Sequence, residues 1–179
     1  GLGVYWHYRQ KYLEQKDKFL ETSDKRYLVR EPDIADDRWL EQLREAVRQG
    51  MKKDKPFRPL AYYLADESSL TSYGDPFDLS WSQPTLAKFR AWLQTQYSNL
   101  NALNEEWETK FTSWDEVVPL TTAEAQAKGN YAGWMDHRTF MEQVFARAVA
   151  VAAEAVKRED PEGLASLSGT QVPGPSNAV

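Results

Sequence analysis

Cysteine is absent from this sequence, so no disulfide framework and no thiolate metal site can form within it, and the absence leaves the compartment open. Histidine is scarce as well. His7 and His137 are the only two, and they stand far apart without ligand spacing, which argues against a metal site; no cofactor motif is visible. No apolar run approaches the roughly 18 residues of a membrane-crossing helix, and no signal-peptide pattern is visible. Positive charge is in deficit: 22 Lys and Arg against 27 Asp and Glu give a net charge of −5. The basic residues are scattered rather than gathered in a stripe, which disfavours phosphate backbones. Neither a membrane nor a nucleic acid is an expected partner.

What remains is an ordinary globular composition, 41% hydrophobic and 27% charged, with seven Trp and nine Tyr. Such an aromatic surplus either fills a bulky core or stacks on the flat faces of sugars. The ends read as interruptions. There is no initiator Met, Gly1 to Trp6 begins as if within a strand, and Pro173 to Val179 stops within a loop. Residues 1–179 are therefore expected to be one soluble, partial domain, truncated at both ends, whose missing N-terminus leaves a signal peptide unassessable.

Periodicity supplies an order of elements. Val4-Tyr5-Trp6-His7-Tyr8 suggests a strand, Lys11 to Lys25 a solvated helix or surface excursion, and Tyr27-Leu28-Val29 a second strand. Asp36 or Asp37 can cap a helix carrying Trp39, Leu40, Leu43 and Val47, with Gly50 placed to end it. Residues 57–65 read as a buried strand. Ser82 and Pro84 open a long helix with apolar positions Leu86, Phe89, Leu93, Tyr97, Leu100 and Leu103. A loop around Gly129 to Trp134, containing also Asp136, precedes a helix from about Asp136 to Arg158, stopped by Asp160-Pro161. Leu164 to Gly169 reads as a last strand. Strands alternating with helices, without hairpin signals, predict an α/β fold with a parallel sheet.

Asp66-Glu67 closes the apolar run Leu60 to Ala65. In α/β barrels the C-terminal ends of strands carry the chemistry. Glycoside hydrolysis requires two carboxyl groups, one protonated to donate to the leaving oxygen and one ionised to attack or to activate water. Glu67 suits the donor if burial raises its pKa. Adjacent residues of a strand point to opposite sides, so Asp66 cannot complete that pair and better suits a sugar hydroxyl or a neighbouring loop. The plain alternative is that both carboxylates cap the strand and bind the Ser68-Ser69 turn.

Tyr63-Leu64-Ala65-Asp66-Glu67-Ser68, then Phe89, Trp92-Leu93, Tyr97, Leu100, Leu103-Asn104, Trp107, Thr109 and Phe111, then Trp114 to Pro119, resemble the glycoside hydrolase family 42 β-galactosidases over residues 60–145. The resemblance implies part of a (β/α)8 TIM barrel, about strands three to five with intervening long helices. It implies a retaining mechanism on O-glycosidic bonds with Glu67 as general acid/base. The family's nucleophile closes the seventh strand and would fall beyond Val179, so the fragment alone should be inactive. Asp66 departs from the family's Asn; it can accept a hydrogen bond from a sugar hydroxyl but cannot donate an amide N–H, and its charge would raise the pKa of Glu67. The cysteine-bound zinc of some members has no counterpart here.

Further sugar contacts are expected from His7 near a strand end, from Trp134 as a stacking platform, and from Thr170 and Gln171 after the last strand. Arg30 and Asp33 share that predicted face. Core packing for Trp134 and turn formation for residues 169–175 are the bland readings. The expected partner is a carbohydrate substrate, with homo-oligomerisation of the complete protein left open. The competing reading of the whole is a catalytically inactive carbohydrate-binding or scaffold protein on the same barrel, a reading that Asp66 keeps open. A third is a helical interaction domain in which Asp66-Glu67 is structural.

Overall fold

A computed structural model describes Leu2, residues 9–66, Ser68, Leu70, Asp78 and residues 80–168. The strand expected at residues 4–8 lies outside these residues. Helix α1 (Arg9–Thr22) is the charged segment, folded as a helix. Helix α2 (Asp37–Asp54) starts where Asp36 accepts the Arg38 N–H, and it buries Leu40, Leu43, Val47 and Met51 on one face. Strand β1 (Tyr62–Asp66) is followed by α3 (Gln83–Gln96), α4 (Leu100–Trp107), α5 (Thr122–Lys128), α6 (Ala132–Glu159) and β2 (Ala165–Ser168). The two strands pair in parallel, Tyr62 opposite Ala165 and Asp66 opposite Ser168. Helices fill the crossover because parallel neighbours cannot be joined by a hairpin.

Four local expectations are corrected. Tyr27-Leu28-Val29 forms no strand: the Asp24 side chain caps a single 3-10 turn over Lys25–Tyr27, and Leu28 leaves it in a non-extended conformation, φ −80° and ψ 32°. Leu28 is nevertheless fully buried, and its carbonyl accepts the Trp81 N–H at 2.8 Å. Gly50 does not end α2. A Cβ there would stand 2.9 Å from Leu2 Cδ2, so the glycine makes room for Leu2. Leu2 in turn donates its N–H to the Tyr63 carbonyl at 2.9 Å.

The single helix expected across Leu86 to Leu103 is two. Tyr97 ends α3 with extended backbone, and Asn99 starts α4 by accepting the Ala102 N–H. A new cap of this kind satisfies an N–H donor that the start of the second helix would leave unpaired, so the chain can bend at little cost. The apolar period survives the break because both helices face the same core. Lastly, α6 begins at Ala132, which places Trp134 and Asp136 in a helix rather than in a loop.

Two cores share α6. Its C-terminal half packs Ala148, Val151, Ala152, Ala155 and Val156 against α2 and β1. Its N-terminal half packs Phe140, Met141 and Val144 against Phe89, Leu93, Leu103, Trp107 and Val117. Gly133 lets the helix touch the Trp107 indole, since a Cβ would lie 2.8 Å from its ring. A fully buried aromatic such as Phe89 or Trp107 contributes roughly 1.5–3 kcal/mol of burial free energy.

Candidate active site

Strand β1 is buried at Tyr62, Leu64 and Ala65 and emerges at Asp66, which is exposed. Parallel pairing sets Asp66 beside Ser168, so the C-terminal ends of both strands open on one side. Glu67, His7, Thr170 and Gln171 lie outside the described residues. Of the Asp66-Glu67 pair, Asp66 is thus the carboxylate that the described residues place at a strand end.

Beyond that end lies a buried polar cluster. Arg30 is 4% exposed; its Nη1 donates to the Pro32 carbonyl at 2.7 Å, and its Nε is directed at the Leu70 carbonyl at 3.4 Å. Burial pulls its pKa down to about 10, with Asp33 opposing. Asp33 is not a contact of Arg30. Its oxygens accept the Ser82 hydroxyl, the Thr85 hydroxyl at 2.8 Å and the Ala35 N–H at 3.0 Å, which ties the chain before α2 to the start of α3.

The first turns of α6 carry a second buried polar cluster. His137 is 5% exposed, hydrogen-bonds the backbone of Ser80 and stands edge-on to Phe89, 5.2 Å between centroids. Burial, helped by the neighbouring Arg138 charge, pushes its pKa down to about 3, so it is neutral at physiological pH. Arg138 Nη2 pairs with Asp78 at 3.2 Å. Asp78 also accepts the Thr122 N–H at 2.9 Å and the Thr122 hydroxyl at 3.0 Å.

Trp134 is half-buried. Its Nε1 donates to the Thr122 hydroxyl at 3.0 Å, and the Arg138 guanidinium sits 5.0 Å from its ring centroid, within cation–π range. The expected platform therefore already holds a cation on its ring. Trp134 joins the Arg138 and Asp78 cluster, whereas Asp33 is engaged with Ser82 and Thr85 at the start of α3.

The sequence reading passed over His137, Arg138 and Asp78 as site residues. A signal existed for the first: Phe140, Met141, Val144 and Ala148 follow His137 at steps of three and four, which puts it on the buried stripe of α6. Arg138 and Asp78 had none. Among the described residues no group of three or more His, Asp or Glu is arranged to hold a metal ion, and no helix is long and apolar enough to cross a membrane.

The geometry can be set beside known proteins. No curated protein matches the sequence. Among solved structures the chain is similar to an exo-beta-agarase, with 22% identity and a TM-score of 0.59 over 79% of this chain and 20% of that one. It is similar also to a second agarase, with 23% identity and a TM-score of 0.59 over 87% of this chain and 24% of that one. The chain thus spans about a fifth to a quarter of their length, and at such identities the likeness concerns the fold. A family model described as beta-galactosidase, glycoside hydrolase family 42, matches residues 72–167. That match covers more than half of the 179 residues, and the chain belongs to glycoside hydrolase family 42.

Proposed function

We propose that the complete protein is a retaining glycoside hydrolase of β-galactosidase type, cleaving O-glycosidic bonds with Glu67 as general acid/base. Residues 1–179 are then a partial TIM-barrel domain contributing about strands three to five, with β1 as the fourth. The observation that carries this reading is the emergence of Asp66 at the C-terminal end of a parallel strand, with Glu67 the next residue in sequence. Barrel enzymes place their chemistry at that end. Family membership supplies the reaction class, since fold alone does not.

Glu67 protonates the leaving oxygen and then, as a carboxylate, draws a proton from the attacking water while a second carboxylate outside these residues holds the sugar covalently. Asp66 accepts a hydrogen bond from a sugar hydroxyl, and its charge favours the protonated form of Glu67. Trp134, His7, Thr170 and Gln171 are the further sugar contacts of this reading.

Glu67→Gln in the complete protein tests the assignment. The variant keeps the shape of the side chain but cannot exchange a proton, so kcat on an aryl β-galactoside should fall by about 10²–10⁴-fold, with saccharide binding retained. Wild-type turnover in that variant would remove Glu67 from the mechanism.

A further inference from the structure

We propose that the groove where α2, α3 and α6 meet binds a free monocarboxylic acid with an apolar body, its carboxylate held by Lys88 and Arg147 and its body laid against Leu40, Phe140 and Val144. This goes beyond the glycosidase reading and does not depend on it. None of the lining residues is among the sugar contacts named above.

The groove has a volume of about 420 Å³. Small-molecule sites of that size are mostly apolar and carry a few convergent polar groups. Leu40 comes from α2, Lys88 and Ala91 from α3, and Phe140, Val144 and Arg147 from α6, so one stretch of chain supplies every wall. Leu40, Phe140 and Val144 are buried core side chains, which fixes the apolar floor before any ligand arrives. Ala91 is exposed, and a long side chain in its place would intrude on the space.

The mouth carries more positive charge than negative. Lys88 Nζ donates to the Ala35 carbonyl at 2.7 Å and to Asp37 Oδ1 at 2.6 Å, and Arg147 Nη2 reaches the same oxygen at 3.3 Å. One carboxylate therefore serves two cations. Asp36, whose charge is also felt by Lys88, is taken by Arg38 at 2.7 Å and 3.0 Å. Three cations thus face two carboxylates among the described residues. Donors are left as well: an ammonium has three N–H bonds, of which Lys88 uses two here, and a guanidinium has five, of which Arg147 gives one to Asp37.

These features select the ligand. A carboxylate answers the surplus charge and fits the flat edge of a guanidinium through two parallel hydrogen bonds. With the Lys88 and Arg147 side chains 32% and 60% exposed, that contact alone is weak, and an apolar body on the floor must supply the rest. A saccharide would set its hydroxyls against side chains that cannot bond them. Inorganic anions would leave the floor unused.

The test titrates the complete protein with octanoate by calorimetry at constant ionic strength, with acetate and 1-octanol as controls. Octanoate should bind saturably at one site and raise the melting temperature as its concentration increases, whereas acetate, without the body, and octanol, without the charge, should bind at least tenfold more weakly. Arg147→Gln should weaken octanoate binding about tenfold, the equivalent of one charge-assisted hydrogen bond, and Ala91→Phe should abolish it. If Ala91→Phe fails to fold, Arg147→Gln and an octanoate-soaked crystal decide the matter. Equal binding of octanol and octanoate, or octanoate binding unchanged by Arg147→Gln, would overturn the proposal. So would a crystal of the complete protein in which its own chain fills the groove. Density in a soaked crystal without saturable binding in solution would mean binding at crystal concentration only and would overturn it too.

Discussion

The two polar clusters at the start of α6 stand in opposite states of completion. On one side Asp136 Oδ2 accepts the Tyr97 hydroxyl at 2.5 Å and the Trp107 Nε1–H at 2.8 Å, and Trp107 also lies 3.1 Å from the Tyr97 oxygen. On the other, one residue later in sequence, His137 and Arg138 each keep a buried nitrogen without a partner. The first cluster has what a folded core requires, since every buried polar group named is bonded. The second leaves an acceptor on His137 and a donor on Arg138 over among the described residues. Family resemblance runs through the first cluster, in the Tyr, Trp and Asn series, so that series turns out to be packing and latching rather than substrate contact.

Breaking the completed cluster should have the largest effect. Asp136→Ala removes the acceptor that the indole N–H and the phenol share and should cost about 3 kcal/mol in urea unfolding of the complete protein. Asp136→Asn keeps an acceptor and should lose clearly less. Equal losses from both variants would mean that charge, and not hydrogen bonding, holds the latch.

An intermediate effect should come from acid. The pKa of His137 falls from an ordinary 6.5 to about 3 on folding, so the unfolded chain binds the extra proton between those values. The stability this contributes is complete above pH 6.5 and drains away as pH falls, by about 2 kcal/mol at pH 5. His137→Phe should flatten that limb of the stability profile. An unchanged acid limb would show that the ring titrates normally and that the second cluster is open to water.

The smallest effect belongs to Tyr97→Phe, which removes one donor to Asp136 and leaves the Trp107 bond in place. Burial and the Asp136 bond hold the Tyr97 phenol well above its usual pKa, so it stays protonated at any ordinary pH. Its loss should cost about 1 kcal/mol. A cost near that of Asp136→Ala would make the phenol, rather than the carboxylate, the centre of the latch.

Much of the frame was readable in advance. Asp36 and Ser82 cap the helices assigned to them, Asp160 follows the last residue of α6, and the two described strands pair in parallel as the absence of hairpin signals implies. The break at Tyr97 was hidden because both halves keep one apolar period. Gly50 misled for a different reason: glycine ends helices by its backbone freedom, but here it serves through its missing Cβ, and only the position of Leu2 reveals that. Asn104 was noted as part of a pattern without a reason. Its side chain accepts from the Thr109 hydroxyl at 2.8 Å and the Phe111 N–H at 2.9 Å, and donates to the Phe111 carbonyl, closing the turn after α4.

The sequence by itself determined the alternation of helix and strand, the apolar stripes and the caps, because these follow from local geometry and from residues three or four positions apart. It also carried the family, through side chains whose spacing a generic helix would not reproduce. Tertiary structure alone decided which charges are buried. Arg30 and Arg138 are ordinary cations in the chain, and only the packed fold buries them so that each keeps a nitrogen without a partner among the described residues.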